Sequence, residues 1–147
     1  MVVCLDPKRR NIMLGKRSLY FIGSLLIFAG CASNTVSKDT QAIKVSYSWD
    51  GIKRCKKVSP TIYLSGVPKG TSSLDVKMID LDSLRSYHGG GKVVYSGKNV
   101  IPKGALRSFV GPCPPRGTVH SYKFMVKAKD KDGNTIGYGE AVRNFGK

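Results

Sequence analysis

A chain of 147 residues has room for one globular domain and no more. Its 41% hydrophobic and 23% charged residues are ordinary for a globular protein, but a net charge of +16 is not, and a surface that basic favours anionic partners: phospholipid headgroups, nucleic acid or acidic glycans. The lysines are scattered and no basic run is interleaved with aromatics, which argues against a nucleic-acid module and leaves a simply solvated basic surface as the plain alternative.

Residues 1–17 are basic, with Lys8-Arg9-Arg10 and Lys16-Arg17, and Met13 offers a second start that would leave a compact leader. Ser18 to Ala29 is an apolar run too short to span a bilayer as a helix. A basic flank followed by a short apolar core reads as a secretory signal helix over residues 1–30. It ends Ile27-Phe28-Ala29-Gly30-Cys31, which resembles a bacterial lipobox; the resemblance implies that Cys31 is acylated as the first residue of the mature chain. Three acyl chains on one residue would anchor strongly, since each buried methylene contributes about 0.8 kcal/mol. Ala32, in place of an aspartate, resembles the signal for an outer-membrane destination in a two-membrane bacterium. An ordinary signal peptide, or a membrane anchor, with a coincidental cysteine is the alternative. Residues 31–41 are mostly polar and read as a tether, and residues 42–147 as the domain, which keeps most of the positive charge because residues 1–30 hold only five of the 25 basic residues.

Strands then recur. Ile43, Val45, Tyr47 and Trp49 alternate with polar residues, as a strand with one buried face requires. Lys53-Arg54-Cys55-Lys56-Lys57 is a dense basic loop around a cysteine. Thr61 to Ser65, Leu74 to Leu81 and Lys92 to Ser96 are strand-like. In the second of these Asp80 shares a face with Leu74, Val76 and Met78, and a carboxylate there needs a partner. Ser86-Tyr87-His88 leads into three glycines, a backbone free to approach a ligand or merely a flexible turn. Tyr122, Phe124, Val126 and Ala128 form the clearest strand, and Asp132-Gly133 is a hairpin signal. Thr135 to Val142 returns as its partner, although Gly137 and Gly139 weaken that reading. No amphipathic helix stands out in the mature domain, so the expected fold is an all-β sandwich of short strands.

Gly111 to Tyr122, GPCPPRGTVHSY, interrupts this pattern. Three prolines fix φ and remove backbone donors, so the segment is neither helix nor central strand. It is a stiff loop delivering His120 and Tyr122 to one place, or a proline-rich connection and nothing more.

This loop resembles the anion-pocket segment of the phosphatidylethanolamine-binding protein (PEBP) family, also called Raf kinase inhibitor-like proteins. A second block is similar too: Ser59-Pro60, then Ser65 to Leu74 (SGVPKGTSSL), then Asp80-Leu81-Asp82, with Ile101 to Ala105 resembling the turn before the pocket loop. The resemblance covers about Val58 to Asp130. It implies a PEBP-like β-sandwich whose pocket is built by Asp80, His120 and Tyr122, with Gly111, Pro114 and Pro115 as its wall. An imidazole, a phenol and backbone N–H groups can all donate to phosphate oxygens. Two features depart from the family. Leu81 and Leu84 stand at its turn prolines, and Gly91 stands where its second pocket histidine begins a strand. His88, three residues upstream, is the candidate to fill that space, with Lys92 helping the charge balance.

The plain reading of the same residues is that Asp80 caps a turn, His120 satisfies a backbone carbonyl and Tyr122 is core. With Cys4 removed alongside the signal and Cys31 acylated, Cys55 and Cys113 remain as an even pair in an oxidising compartment, where a disulfide is expected and two free buried thiols are the alternative. No CxxC or HxxxH spacing offers a zinc site, and no cofactor is expected. An Asp/His pair without a serine or thiol nucleophile nearby is weak support for hydrolysis, so the expectation is a binding protein rather than an enzyme. The reading is a cell-envelope lipoprotein, membrane-held through Cys31, that binds a phospholipid headgroup or another small phosphate-type anion. Its alternative is a surface or inhibitory lipoprotein acting through its basic face with a vestigial pocket.

Overall fold

A computed structural model describes residues 40–146. The signal segment, Cys31 and most of the tether lie outside the described residues. Eight strands and no helix make up the described chain. They are β1 (Gln41–Ala42), β2 (Lys44–Tyr47), β3 (Ile62–Ser65), β4 (Ser73–Asp80), β5 (Gly90–Val94), β6 (Val100–Ile101), β7 (Val119–Lys129) and β8 (Thr135–Gly146). The larger sheet has the order β1-β8-β7-β4-β5 and the smaller β2-β3-β6. Only β1 and β8 pair in parallel. The expected all-β architecture is what the chain adopts.

Period-two alternation builds the core. Leu74, Val76 and Met78 of β4 and Tyr122, Phe124, Val126 and Ala128 of β7 point to one face of the larger sheet. Val45 and Tyr47 of β2, Ile62 and Leu64 of β3 and Ile101 of β6 join them in a single hydrophobic cluster. Each such side chain, fully buried, contributes about 1.5–3 kcal/mol. Tyr47, Trp49, Phe109, Tyr122, Phe124 and Phe145 form its aromatic heart, mostly edge to face.

The segment expected to be one strand from Ile43 to Trp49 is divided instead. Gln41 and Ala42 run along β8, and the Ile43 N–H still donates to the Tyr138 carbonyl at 2.8 Å. From Lys44 the chain leaves for the smaller sheet and pairs with β3. The two glycines that weaken β8 on paper make this crossing possible. A Cβ on Gly139 would sit 2.0 Å from the Ile43 carbonyl oxygen, and one on Gly137 would sit 2.8 Å from the Pro68 ring. β8 is consequently longer than expected, 12 residues, and pairs with β7 along its length.

Candidate functional site

The site begins with register. Asp80 and Tyr122 are direct neighbours across β4 and β7, and His120, two residues earlier on β7, shares their face. This alignment places a carboxylate at the inner end of an apolar row. Asp80 is 2% exposed and is fully occupied with partners. Its Oδ1 accepts the backbone N–H groups of Asp82 at 2.9 Å and Ser83 at 3.1 Å. Its Oδ2 accepts Nδ1–H of His120 at 2.8 Å. Asp80 therefore caps the turn after β4 and holds the His120 ring through Nδ1. The turn holds without the family's prolines because Asp80 itself supplies the bonds. Asp82 adds a lock, accepting the Ser121 N–H at 2.6 Å.

Burial is the largest influence on the Asp80 carboxyl and pushes its pKa up. Hydrogen bonds from His120, the Asp82 N–H and the Tyr122 hydroxyl, with the charge interaction with His120, outweigh it and hold the group below its ordinary value. Burial and the neighbouring Asp80 charge push the Tyr122 phenol well above its ordinary value. Near neutral pH the carboxylate is charged and the phenol is not.

His88 arrives by a different route. The glycines after it approach another part of the chain rather than a ligand: a Cβ on Gly89 would lie 1.8 Å from the Ser108 carbonyl oxygen, and one on Gly90 1.9 Å from that of Val76. Gly90 and Ser108 exchange backbone hydrogen bonds, and the Val110 N–H donates to the His88 carbonyl at 2.9 Å. This strap buries His88 to 5% exposure, with Nδ1 donating to the Val110 carbonyl at 3.1 Å. Its Nε2 lies 3.7 Å from Asp80 Oδ2 and has no hydrogen-bond partner among the described residues. Two imidazoles thus flank one buried carboxylate. Lys92 is not part of the group: it sits opposite Asp75, which points to the other face of the sheet from Asp80.

The pocket loop is held from behind. Cys113 is bonded to Cys55 as a disulfide. The Cys55 N–H donates to the Pro112 carbonyl at 2.8 Å and the Gly111 N–H to that of Lys56 at 3.0 Å. A Cβ on Gly111 would lie 2.3 Å from the Lys56 carbonyl oxygen, so only glycine permits this approach. Arg54, a residue to which the sequence assigned only charge, donates Nε to the Pro114 carbonyl at 2.9 Å, with a second bond from Nη2.

Of the seven residues expected at the pocket, Gly111, Pro114, Tyr122, Asp80 and His88 are buried. Tyr122 is fully enclosed, with its hydroxyl receiving the Cys113 N–H at 3.3 Å. Pro115 is exposed, and the His120 side chain is 16% exposed. His120 is therefore where the site meets solvent, with Nδ1 tied to Asp80 and Nε2 unengaged by it. Beside it, on β8, Phe145 stands directly opposite His120. A cavity of about 480 Å³ is lined by Arg54, the Pro114–Thr118 stretch and Asn144–Gly146; it reaches Phe145, and His120 is not among its lining residues. Nothing in the spacing of β8 marked Phe145 as a site residue, because its position is set by the cross-strand register.

The architecture is that of a PEBP-type β fold. Escherichia coli YbcL, described as a new member of the mammalian PEBP family, superposes with a TM-score of 0.54 at 20% identity, over 71% of this chain and 98% of YbcL. CT736 of Chlamydia trachomatis, described as a putative phosphatidylethanolamine-binding protein homolog, superposes with a TM-score of 0.52 at 21% identity, over 72% of this chain and 98% of CT736. No family model matches the sequence, and no curated protein matches it. The fold read from residues 58–130 is the fold the chain has.

Proposed function

We propose that this chain is a lipid-anchored receptor for a small phosphate-type anion, held to the envelope membrane through an acylated Cys31. The observation that carries the binding part is the 2.8 Å contact between His120 and buried Asp80. It fixes the ring with Nδ1 inward and leaves Nε2 for a ligand. A protonated ring would present an N–H donor there, with Asp80 balancing its charge. Arg54 and Arg116 by the pocket loop favour a negative ligand. The description of CT736 as a phosphatidylethanolamine-binding protein homolog supports a phospholipid headgroup among the candidates. The reading is of binding rather than catalysis: Cys113, the thiol nearest to His120 in sequence, is tied up in the disulfide and supplies no thiolate.

The test is a titration of the full-length chain with phosphoethanolamine and with inorganic phosphate, followed by NMR, on wild type and His120→Ala. Saturable shifts at His120 and the pocket loop that vanish in the variant are the expected result. Shifts confined to lysines, screened by modest salt and equal in the variant, refute it. One observation favours the surface-acting alternative: the outward face of the larger sheet carries Lys77, Lys92, Lys123 and Lys127 against Asp75 and Glu140. Charge reversal at Lys92 and Lys127 on that face would weaken partner binding in that case while His120→Ala would not.

A further inference from the structure

The disulfide lies where a purely structural bridge seldom does. Cysteine is among the most buried residue types, yet Cys55 and Cys113 are both exposed. The interior ends right beside them, since Pro112 and Pro114, the neighbours of Cys113, are fully buried. Exposed bridges are the ones open to an outside thiolate. The surroundings favour such an attack. Lys53, Arg54, Lys56 and Lys57 flank Cys55 on both sides, and all four are exposed, as is Arg116 beyond the pocket prolines. The bonds from Arg54 to the Pro114 carbonyl fix one of these cations beside the residue that follows Cys113. Asp50, the acid nearest the bridge in sequence, is engaged by the Ser48 hydroxyl at 2.6 Å. Cations close to a sulfur stabilise its thiolate and so make it a better leaving group, and they draw in a negatively charged reagent.

We propose that the Cys55–Cys113 bridge is a site of thiol–disulfide exchange with an anionic low-molecular-weight thiol. The incoming thiolate bonds to Sγ of Cys113, the Cys55–Cys113 bond breaks, and Cys55 leaves as a thiolate, taking up the proton that the reagent thiol gave to solvent. One disulfide is thereby exchanged for another. A second thiolate of the same kind attacks the mixed disulfide, frees Cys113 and departs as the small-molecule disulfide; two thiols have then given two electrons to the bridge. The opened form keeps its local shape. Cys55 N–H to the Pro112 carbonyl, Gly111 N–H to the Lys56 carbonyl and the Arg54 bonds hold the two segments together without the sulfurs. The thiols therefore stay close enough to close again, and exchange is reversible. It removes the stabilisation of the cross-link while leaving the site in place, and it does not depend on any ligand in the anion pocket.

Three thiols of one skeleton test this on the oxidised full-length protein: 2-mercaptoethanesulfonate, 2-mercaptoethanol and cysteamine. Opening is followed by mass spectrometry after quenching with iodoacetamide. Each rate is expressed per thiolate and divided by the rate of the same thiol with a neutral small disulfide. At low ionic strength the sulfonate should react about tenfold faster than cysteamine, and the gap should close in about 0.5 M salt. Peptide mapping should find the thiol adduct on Cys113 and the alkylated thiol on Cys55. Combining Lys53→Ala, Lys56→Ala and Lys57→Ala, all at exposed positions, should bring the three rates to within about twofold of one another. Equal rates for the three thiols on wild type, or a series unchanged in the triple variant, overturn the preference for an anionic thiol. Adduct found chiefly on Cys55 overturns the assignment of the leaving group. An opening rate that does not rise with thiol concentration means that the bridge is reached only through unfolding, and it overturns the proposal as a whole.

Discussion

Replacing Cys55 and Cys113 together by alanine separates what stabilises this fold from what shapes its site. The bridge joins residues 58 apart in sequence. In the chain-entropy account, opening a loop of that length releases unfolded-state freedom that destabilises the native protein by on the order of 4 kcal/mol at 25 °C. Cys55 has φ +60°, in the left-handed region, and alanine carries the same backbone strain, so the pair of substitutions isolates the cross-link. The local geometry should outlast it. Cys55 to Pro112, Gly111 to Lys56 and Arg54 to Pro114 remain bonded without the sulfurs. The expectation is a large loss of stability with anion affinity changed by less than about threefold at 25 °C. Urea unfolding of wild type, of wild type with reductant and of the variant measures the first part. The reduced wild type should fall on the variant's curve, and the slope m should rise because the uncrosslinked unfolded chain exposes more surface. A loss below about 1 kcal/mol with an unchanged slope would refute the loop-entropy argument. Intact stability with abolished binding would show that the bridge shapes the loop and that the backbone bonds do not.

Asp80→Asn tests the electrostatics. Because the Asp80 pKa is lowered in the folded state, the carboxylate's contribution to stability is fully present above the unfolded value of about 3.9 and is lost as pH falls through the lower folded value. Thermal unfolding followed from pH 6 to pH 2 should show wild type and variant far apart at the top of that range and converging at the bottom; a constant gap would contradict the assignment. Gly139→Ala should cost about 1–3 kcal/mol in urea unfolding, because its methyl collides with the Ile43 carbonyl oxygen where the chain changes sheets. An alanine tolerated at no cost would mean that the crossing has room to relax.

Much of this protein was legible residue by residue. Alternation predicted β4 and β7 with the right faces buried, and it put Asp80 on the inner face where a partner was needed. Gly111 to Tyr122 read as neither helix nor central strand. That holds for residues 111–118, whereas Val119 to Tyr122 open β7, the middle strand of the larger sheet, because the prolines end at Pro115. Cysteine counting paired Cys55 with Cys113. The strand expected from Lys92 to Ser96 runs from Gly90 to Val94 instead, because Gly90 and Gly91 pair with Lys77 and Val76 and the glycines lie inside the strand rather than before it. The glycines of β8 misled in the same way: propensity counts a missing side chain as weakness, whereas here its absence admits a crossing backbone.

Local pattern alone thus determined the class of fold, the stiff loop and a carboxylate on a buried face that needs a partner, since these depend on periodicity, on backbone restriction and on the cost of burying a charge. Only the resemblance to PEBP proteins put His120 beside it. Tertiary structure decided the rest. It brought His88 to within 3.7 Å of Asp80 through a strap on Ser108 and Val110. It turned Arg54 from a surface charge into a brace for Pro114. It set Phe145 directly opposite His120 across β7 and β8. Each of these joins residues far apart in the chain, and sequence spacing carries no information about a contact whose distance is set by strand register and by how closely two backbones are allowed to approach.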